Sequence, residues 1–463
     1  MYDVAIIGGG PAGLFAAYEI VEKACRDVNV IIIDRGPRAS LRRCPLITNG
    51  KCLFCRPCLV LNGIGGAGAL SSFLINLRPD VGGDLHELVG SWDEAERLIK
   101  YIDEVIVKFS GVTKVYMPIP EMVEALEKRA IRAGATFISV AQRHIGSERS
   151  VEVIENFTKY LEERGVKIAT MNEVNNIINS GGKFSIRMSS GAEVESKYLI
   201  ISTGRSGADW FSEISRKLGI AVIPGPLDVG VRVEVRSVVM DEVTKVVRDP
   251  KIIMYTKAFD DKVRTFCTNP GGFVVKEVYS DGTVGVNGES YSSRESGNTN
   301  FALLSTIRLT NPLEDTIEYG KSIARISTKL GGGRPLIQRF SDLEAGRRST
   351  WDRINRSSIR PTLKDVTPGD ISMALPYRVL TNIMEGLRRL DTIIPGVASS
   401  QTLLYAPEIK FYSVRAVVNK YLETTVENIF VAGDGAGLSR GINVAAATGV
   451  LAGRGVLHKL GII

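Results

Sequence analysis

The sequence predicts an α/β fold: a parallel sheet with a β-meander, interleaved along the chain with a second, α+β domain. Three observations predict it. The apolar strand Val4-Ala5-Ile6-Ile7 runs into the glycine turn Gly8-Gly9-Gly10-Pro11-Ala12-Gly13 and then into an alanine-rich helix, Leu14 to Glu22. Two further apolar strands end in acids, Val28 to Ile33 at Asp34 and Asn428 to Ala432 at Gly433-Asp434. Between them, from about Pro224, the pattern changes to alternating strands.

The first strand, turn and helix form a dinucleotide-binding fingerprint. Gly8 allows the tight turn, Gly10 lets a pyrophosphate approach the backbone, Gly13 lets helix and strand pack closely, and the helix N-terminus offers N–H groups to phosphates. Asp34 stands twenty-one residues past Gly13, where a carboxylate can accept from ribose hydroxyls. Pro11, Ala12 and Arg35 complete this part of the expected cofactor site.

A cysteine loop follows, Cys44, Cys52, Cys55 and Cys58, in the spacing C-x7-C-x2-C-x2-C. A cytosolic chain does not normally staple itself with disulfides, so the crowding points to metal or redox chemistry. Closely spaced CxxCxxC suits an iron–sulfur cluster better than zinc, which usually takes two separated pairs. Reversible disulfides and inert thiols are the competing readings. Lys51 and Arg56 beside the thiolates would offset their charge. Next comes the glycine-rich stretch Gly63 to Ser71. Gly65, Gly66, Ala67 and Gly68 are expected against a cofactor, where missing side chains permit close approach, and Ser71 can hydrogen-bond to it; a surface loop is the bland alternative.

Apolar residues at three- and four-residue spacing predict helices at about Trp92–Phe109, Pro120–Arg132 and Val151–Arg164. A strand at Val166–Ala169, a three-stranded meander through Asn172–Ser196, and a strand Tyr198–Ser202 ending at Thr203-Gly204 make the second half of a Rossmann-type domain, with a meander in place of a crossover helix.

The alternating strands at 229–235, 251–256, 271–278 and 283–287, with helices near Leu313–Leu330 and Tyr377–Asp391, form the candidate substrate domain. The chain then returns to Rossmann character and closes with a small-residue helix, Ile442–Leu457. The expected division is 1–90, 145–215 and 405–463 for the cofactor domain, and 91–144 with 216–404 for the substrate or cap domain.

The C-terminal motif selects the dinucleotide. Gly433-Asp434 at the sheet edge can place a carboxylate on a ribityl hydroxyl, and the helix beginning near Gly441-Ile442 aims its dipole at a flavin ring. A domain for NAD alone has no use for this distant second motif, so the expected cofactor is FAD. No second strand-GxGxxG-helix unit follows residue 220, and Gly331-Gly332-Gly333 follows a helix.

Together these motifs resemble the glutathione-reductase-type FAD fold. More narrowly, the chain resembles a prokaryotic family of largely uncharacterised FAD-dependent dehydrogenases. The likeness rests on the cysteine loop running into Gly65-Gly66-Ala67-Gly68-Ala69, on Arg143-His144-Ile145-Gly146 and Asp228-Val229-Gly230-Val231-Arg232, on Phe266-Cys267 with Pro270-Gly271-Gly272, and on Tyr405-Ala406-Pro407-Glu408. The family tends to carry Ser-Asp-Gly-Lys where this chain has Ser71-Ser72-Phe73-Leu74, and often a second cysteine where Asn269 stands, which argues against a dithiol mechanism at Cys267.

The chain has 463 residues, 44% of them hydrophobic, enough for two cores. No apolar run reaches the length of about 20 residues needed to cross a bilayer, and the expected location is the cytoplasm. The net charge of +7 comes from 58 basic against 51 acidic residues without a long like-charge block, which reads as a solvated surface and disfavours nucleic acid, although Arg347-Arg348 and Arg353 to Arg360 cluster. Glutamine occurs only at 142, 338 and 401, which leans toward a heat-adapted source.

The expected function is an FAD-dependent oxidoreductase acting on a small molecule, with electrons passing through the cysteine centre or through a ferredoxin or nicotinamide partner. Candidate catalytic groups are Ser71, His144 as a proton donor, and Cys267 over the ring; a satisfied structural histidine and a buried apolar cysteine are the alternatives. An RNA-modifying or RNA-binding flavoprotein and a non-catalytic redox sensor are the rival functions. Glu408 and Lys410 read as a surface ion pair, with contact to the substrate as the alternative.

Overall fold

The computed structural model describes residues 1–45, 55–71, 73–279, 281–291, 294–307, 316–411 and 414–463. The chain forms two compact units, Met1–Met117 with Ala141–Gly225 and Ser413–Ile463, and Pro118–Val140 with Pro226–Tyr412.

The first unit is built on a seven-stranded sheet. Tyr2–Ile7 lies between Val30–Ile33 and Glu193–Ile201, parallel to both, with Val4 opposite Val30 and Tyr198. Lys167–Ala169 extends the sheet beyond Val30–Ile33. All four residues of Val30–Ile33 are buried, as a strand covered on both faces requires. The meander strands Val174–Ser180 and Lys183–Met188 run antiparallel onto the start of Glu193–Ile201, while Ile429–Val431 pairs parallel with its end. The last meander strand and the separate strand expected at 198–202 are thus one strand, because Lys197 carries no turn signal and its neighbour Ser196 pairs with both Tyr2 and Phe184.

Helix Pro11–Lys23 begins three residues before the expected Leu14, since Pro11 fits its first turn and Gly10 is the N-cap. It packs on the helix Ile442–Lys459 through glycines: a Cβ at Gly449 would lie 2.1 Å from the Ala12 carbonyl oxygen, and one at Gly453 2.9 Å from that of Ala16. Trp92–Ser110, expected in the second domain, belongs to the first unit. Its stripe Leu98, Ile99, Ile102, Val105 and Ile106 is part of that core. Helix Ser147–Glu163 starts four residues before the expected Val151, after a Gly146 turn with φ +96°.

The second unit carries an eight-stranded sheet, in the order Thr367–Pro368, Leu336–Arg339, Leu403–Phe411, Leu227–Arg236, Asn298–Ile307, Lys262–Asn269, Lys251–Tyr255 and Ala135–Ile138. Helix Tyr377–Ile393 buries Val379, Ile383, Leu387 and Leu390 in the same core. Phe273–Val278 and Val284–Glu289 form a separate hairpin. Leu313, where the helix before Leu330 was expected to begin, lies outside the described residues; the described helix is Thr316–Leu330.

Glu408 is no surface residue. It and Arg232 are both fully buried, 3.1 Å apart in the middle of this sheet. Arg232 also donates to Asn300 Oδ1 at 2.8 Å and to the Cys267 carbonyl at 2.6 Å. Lys410 takes the outer side of Glu408 at 3.0 Å.

Candidate functional site

A cleft of about 350 Å³ opens in the first unit where the strand ends meet. Its floor is the fingerprint turn. Gly8 has φ +106°, and a Cβ there would lie 2.7 Å from the Ser202 carbonyl oxygen, so only glycine lets the two strand ends approach. Gly10, Pro11 and Ala12 line the cleft at the start of the first helix, presenting its N-terminus. Gly13 lies behind them: its Cβ would stand 1.9 Å from the Gly8 oxygen.

Asp34 forms the next wall. It is 8% exposed and accepts from the N–H groups of Gly9 and Gly36, each at 2.8 Å. Burial pushes its carboxyl above the usual range, against the pull of those two bonds. Arg35 beside it donates to Asn62 Oδ1 at 2.7 Å, to the Ser206 carbonyl at 2.9 Å, and to Glu173. Asn62, Glu173, Ser206 and Trp210 share this end of the cleft, and none was foreseen. The one sequence hint is the polar Asn172-Glu173 at the entrance to the meander; Asn172 donates its N–H to the Asp34 carbonyl at 2.9 Å.

Opposite, Gly66, Ala67 and Gly68 arch over the first helix, with Ser71 at their end. Gly65, φ +84°, supports the arch from behind by donating to the Gly9 carbonyl at 2.8 Å. Arg42 sets its curvature: 2% exposed, its guanidinium donates to the carbonyls of Leu59, Val60, Ile64 and Gly66. Ser71 Oγ donates to the Gly68 carbonyl at 2.8 Å and accepts from the Phe73 N–H.

The last wall joins distant segments. Gly435 donates to the Thr203 carbonyl at 2.9 Å, and a Cβ at Gly433 would lie 3.1 Å from that of Ala12. Thr203, Gly204, Gly433, Asp434, Gly441 and Ile442 therefore face the same space as Gly10. Asp434 accepts from Ser439 Oγ at 2.6 Å and from Arg205 Nε at 3.0 Å.

His144 ends the strand Gln142–His144, opposite Leu74; it is exposed and does not line the cleft. Cys267 lies in the second unit, half-buried, at a bulge with φ +49°. Its carbonyl accepts from Arg232 and from Asn269 Nδ2 at 2.8 Å. Of the four-cysteine centre, Cys52 lies outside the described residues, as do Lys51 and Ser72. Cys55 and Cys58 are exposed thiols and Cys44 is half-buried, and among the described residues no cluster of three or more His, Cys, Asp or Glu is arranged to hold a metal ion. No helix among the described residues is long and apolar enough to cross a membrane.

The cleft fits a dinucleotide. Gly10 and Gly66 face each other without side chains, a Cβ on Gly66 lying 3.2 Å from the Gly10 Cα, so either added side chain would narrow the slot. Thr203 Oγ1 lines it, buried and without a hydrogen-bond partner among the described residues. Parallel sheet, meander and cleft define a Rossmann-type FAD-binding fold joined to a second domain.

Residues 226–410 match the family model described as FAD-dependent protein, C-terminal domain-like, and residues 362–461 match that of glucose inhibited division protein A. Over residues 226–410 the chain is thus similar to FAD-dependent proteins. An uncharacterized protein of Clostridium beijerinckii is 24% identical over 341 residues, 69% of this chain and 62% of that protein, so the match spans less than two thirds of that relative's length. Among solved structures, glycine oxidase from Geobacillus kaustophilus is 13% identical with a TM-score of 0.38, over 99% of this chain and 95% of that one. Glycerol-3-phosphate dehydrogenase from Bacillus halodurans, complexed with FAD, is 12% identical with a TM-score of 0.36, over 100% of this chain and 65% of that one.

Proposed function

We propose that this protein is an FAD-dependent oxidoreductase acting on a small-molecule substrate. FAD, when bound, supplies hydride exchange with the substrate at flavin N5. The chain's own residues bind and orient. The Gly10 turn and first-helix N-terminus receive the phosphates, Asp34 and Arg35 border the end taken by the adenosine, and Asp434 offers a carboxylate to the ribityl hydroxyls. Ser71, at the far end of the glycine arch, holds a hydroxyl where a ring atom can meet it. The observation that carries the reading is the convergence of Gly10, Gly66, Thr203 and Asp434 on one slot. Visible absorption near about 450 nm in the purified protein, with FAD released on denaturation, tests it. A colourless protein that takes up no FAD sinks it.

The cysteine loop enters the proposal as an electron relay, an iron–sulfur centre in preference to zinc, serving a ferredoxin or a nicotinamide. One contact supports this: Asn62, which lines the cleft, donates from Nδ2 to the Cys58 carbonyl at 2.8 Å and from its main-chain N–H at 3.0 Å, so the loop abuts the cofactor site. Anaerobic purification with iron, sulfide and zinc quantified decides between relay and clasp; stoichiometric zinc, or neither metal, removes the relay.

A further inference from the structure

Among the described residues the cleft is lined by three carboxylates, Asp34, Glu173 and Asp434, and two guanidiniums, Arg35 and Arg205. A dinucleotide brings two more negative charges into this space, so its entry depends on where positive charge can be delivered. Arg35 is committed: its side chain is 29% exposed and is tied to Asn62, Ser206 and Glu173 on three separate segments. Arg205 differs. Its side chain is 69% exposed, pairs with Asp434 Oδ2 and approaches the Arg440 carbonyl at 3.4 Å. So exposed an ion pair contributes little stability and is readily exchanged. Asp434 Oδ1 takes the short Ser439 bond, which leaves Oδ2, held by Arg205, as the oxygen nearer to hand for a cofactor hydroxyl.

We propose that Arg205 is a phosphate-binding residue of this cleft, exchanging Asp434 for the pyrophosphate as the dinucleotide's hydroxyl takes the carboxylate. This rests on the FAD reading above and adds to it a specific residue. A planar guanidinium suits the purpose because its forked N–H groups match phosphate oxygens. The position serves it too. Arg205 follows the Thr203-Gly204 turn, whose Thr203 carbonyl is bonded to Gly435, so the side chain starts from the junction of the N-terminal and C-terminal motifs.

The test is titration of the deflavinated full chain with FAD and with riboflavin, which lacks phosphates, followed by flavin fluorescence. Arg205→Gln should weaken FAD about tenfold, the loss of one charge-assisted contact, while riboflavin shifts less than about twofold. Arg205→Lys should retain most FAD affinity. The FAD affinity of the unmutated protein should also fall more steeply with added salt than that of Arg205→Gln. Unchanged FAD binding by Arg205→Gln, equal weakening of both ligands, or equal salt slopes each overturns the proposal. Failure of the unmutated protein to bind FAD defeats the underlying reading instead.

Discussion

The Asp34 carboxylate accepts the Gly9 N–H at 2.8 Å, so the acid at the end of the second strand is part of the glycine turn it faces. Its other oxygen holds Gly36. A carboxamide has one acceptor oxygen and would turn its NH2 toward one of these N–H groups. Asp34→Asn should therefore cost about 1–3 kcal/mol of stability and also lower FAD affinity, read by thermal unfolding and flavin fluorescence. An unshifted melting temperature would show that the turn holds without it.

Two glycines three positions apart should fail differently. Among the described residues a Cβ at Gly10 meets only the Gly66 Cα, at 3.8 Å, whereas at Gly13 it strikes the Gly8 carbonyl oxygen. Gly10→Val should fold and lose at least about tenfold in FAD affinity. Gly13→Ala should lose about 2 kcal/mol or more in stability, by forcing helix and strand apart. Circular dichroism with flavin titration separates the two, and a well-folded Gly13→Ala with full stability contradicts the packing.

Glu408→Gln leaves the Arg232 guanidinium buried without its carboxylate. Loss of one partner of such a pair typically costs about 3–5 kcal/mol, while replacing both with apolar residues costs far less. Chemical denaturation of Glu408→Gln, Arg232→Met and the double variant should show this non-additivity. Additive losses would mean that the two groups are stabilised independently.

Asp342 sets an acid limit. Burial opposes its ionisation, but hydrogen bonds from Arg339, Ser349 and Arg347 outweigh burial and hold the carboxyl down to about 2. With a folded value below the unfolded one of about 3.9, the carboxylate stabilises the fold at neutral pH, and that contribution disappears as pH falls through this interval. It amounts to on the order of 2 kcal/mol. Asp342→Asn should be less stable near neutrality and show a flatter loss between about pH 4 and pH 2. Parallel pH profiles would contradict it.

The cofactor cleft was readable in the sequence wherever backbone conformation demands a residue type. Gly8 needs its positive φ, Gly433 and Gly435 must pass close to Ala12 and Thr203, and acids at strand ends announce themselves locally. Asn62, Ser206 and Trp210 carry no such signature, because they reach the cleft by tertiary approach of segments far apart in the chain. Glu408 was misread for a related reason: a charged residue in an alternating strand looks solvated until the partner that buries it, Arg232 on the neighbouring strand, is known. His144 sits within a motif specific to the resembled family, yet a motif states nothing about which way a strand presents its residue.

The pairing of Leu199 with Ile429 also has a consequence for biosynthesis. The second unit's long segment, Pro226–Tyr412, is synthesised before the closing strand Ile429–Val431 of the first. Its core can set while the earlier sheet still waits with the edge of Glu193–Ile201 uncovered, a stage at which a chaperone would find exposed apolar strand. A complete flavin cleft therefore waits on Asp434, which is made only after the whole Pro226–Tyr412 segment.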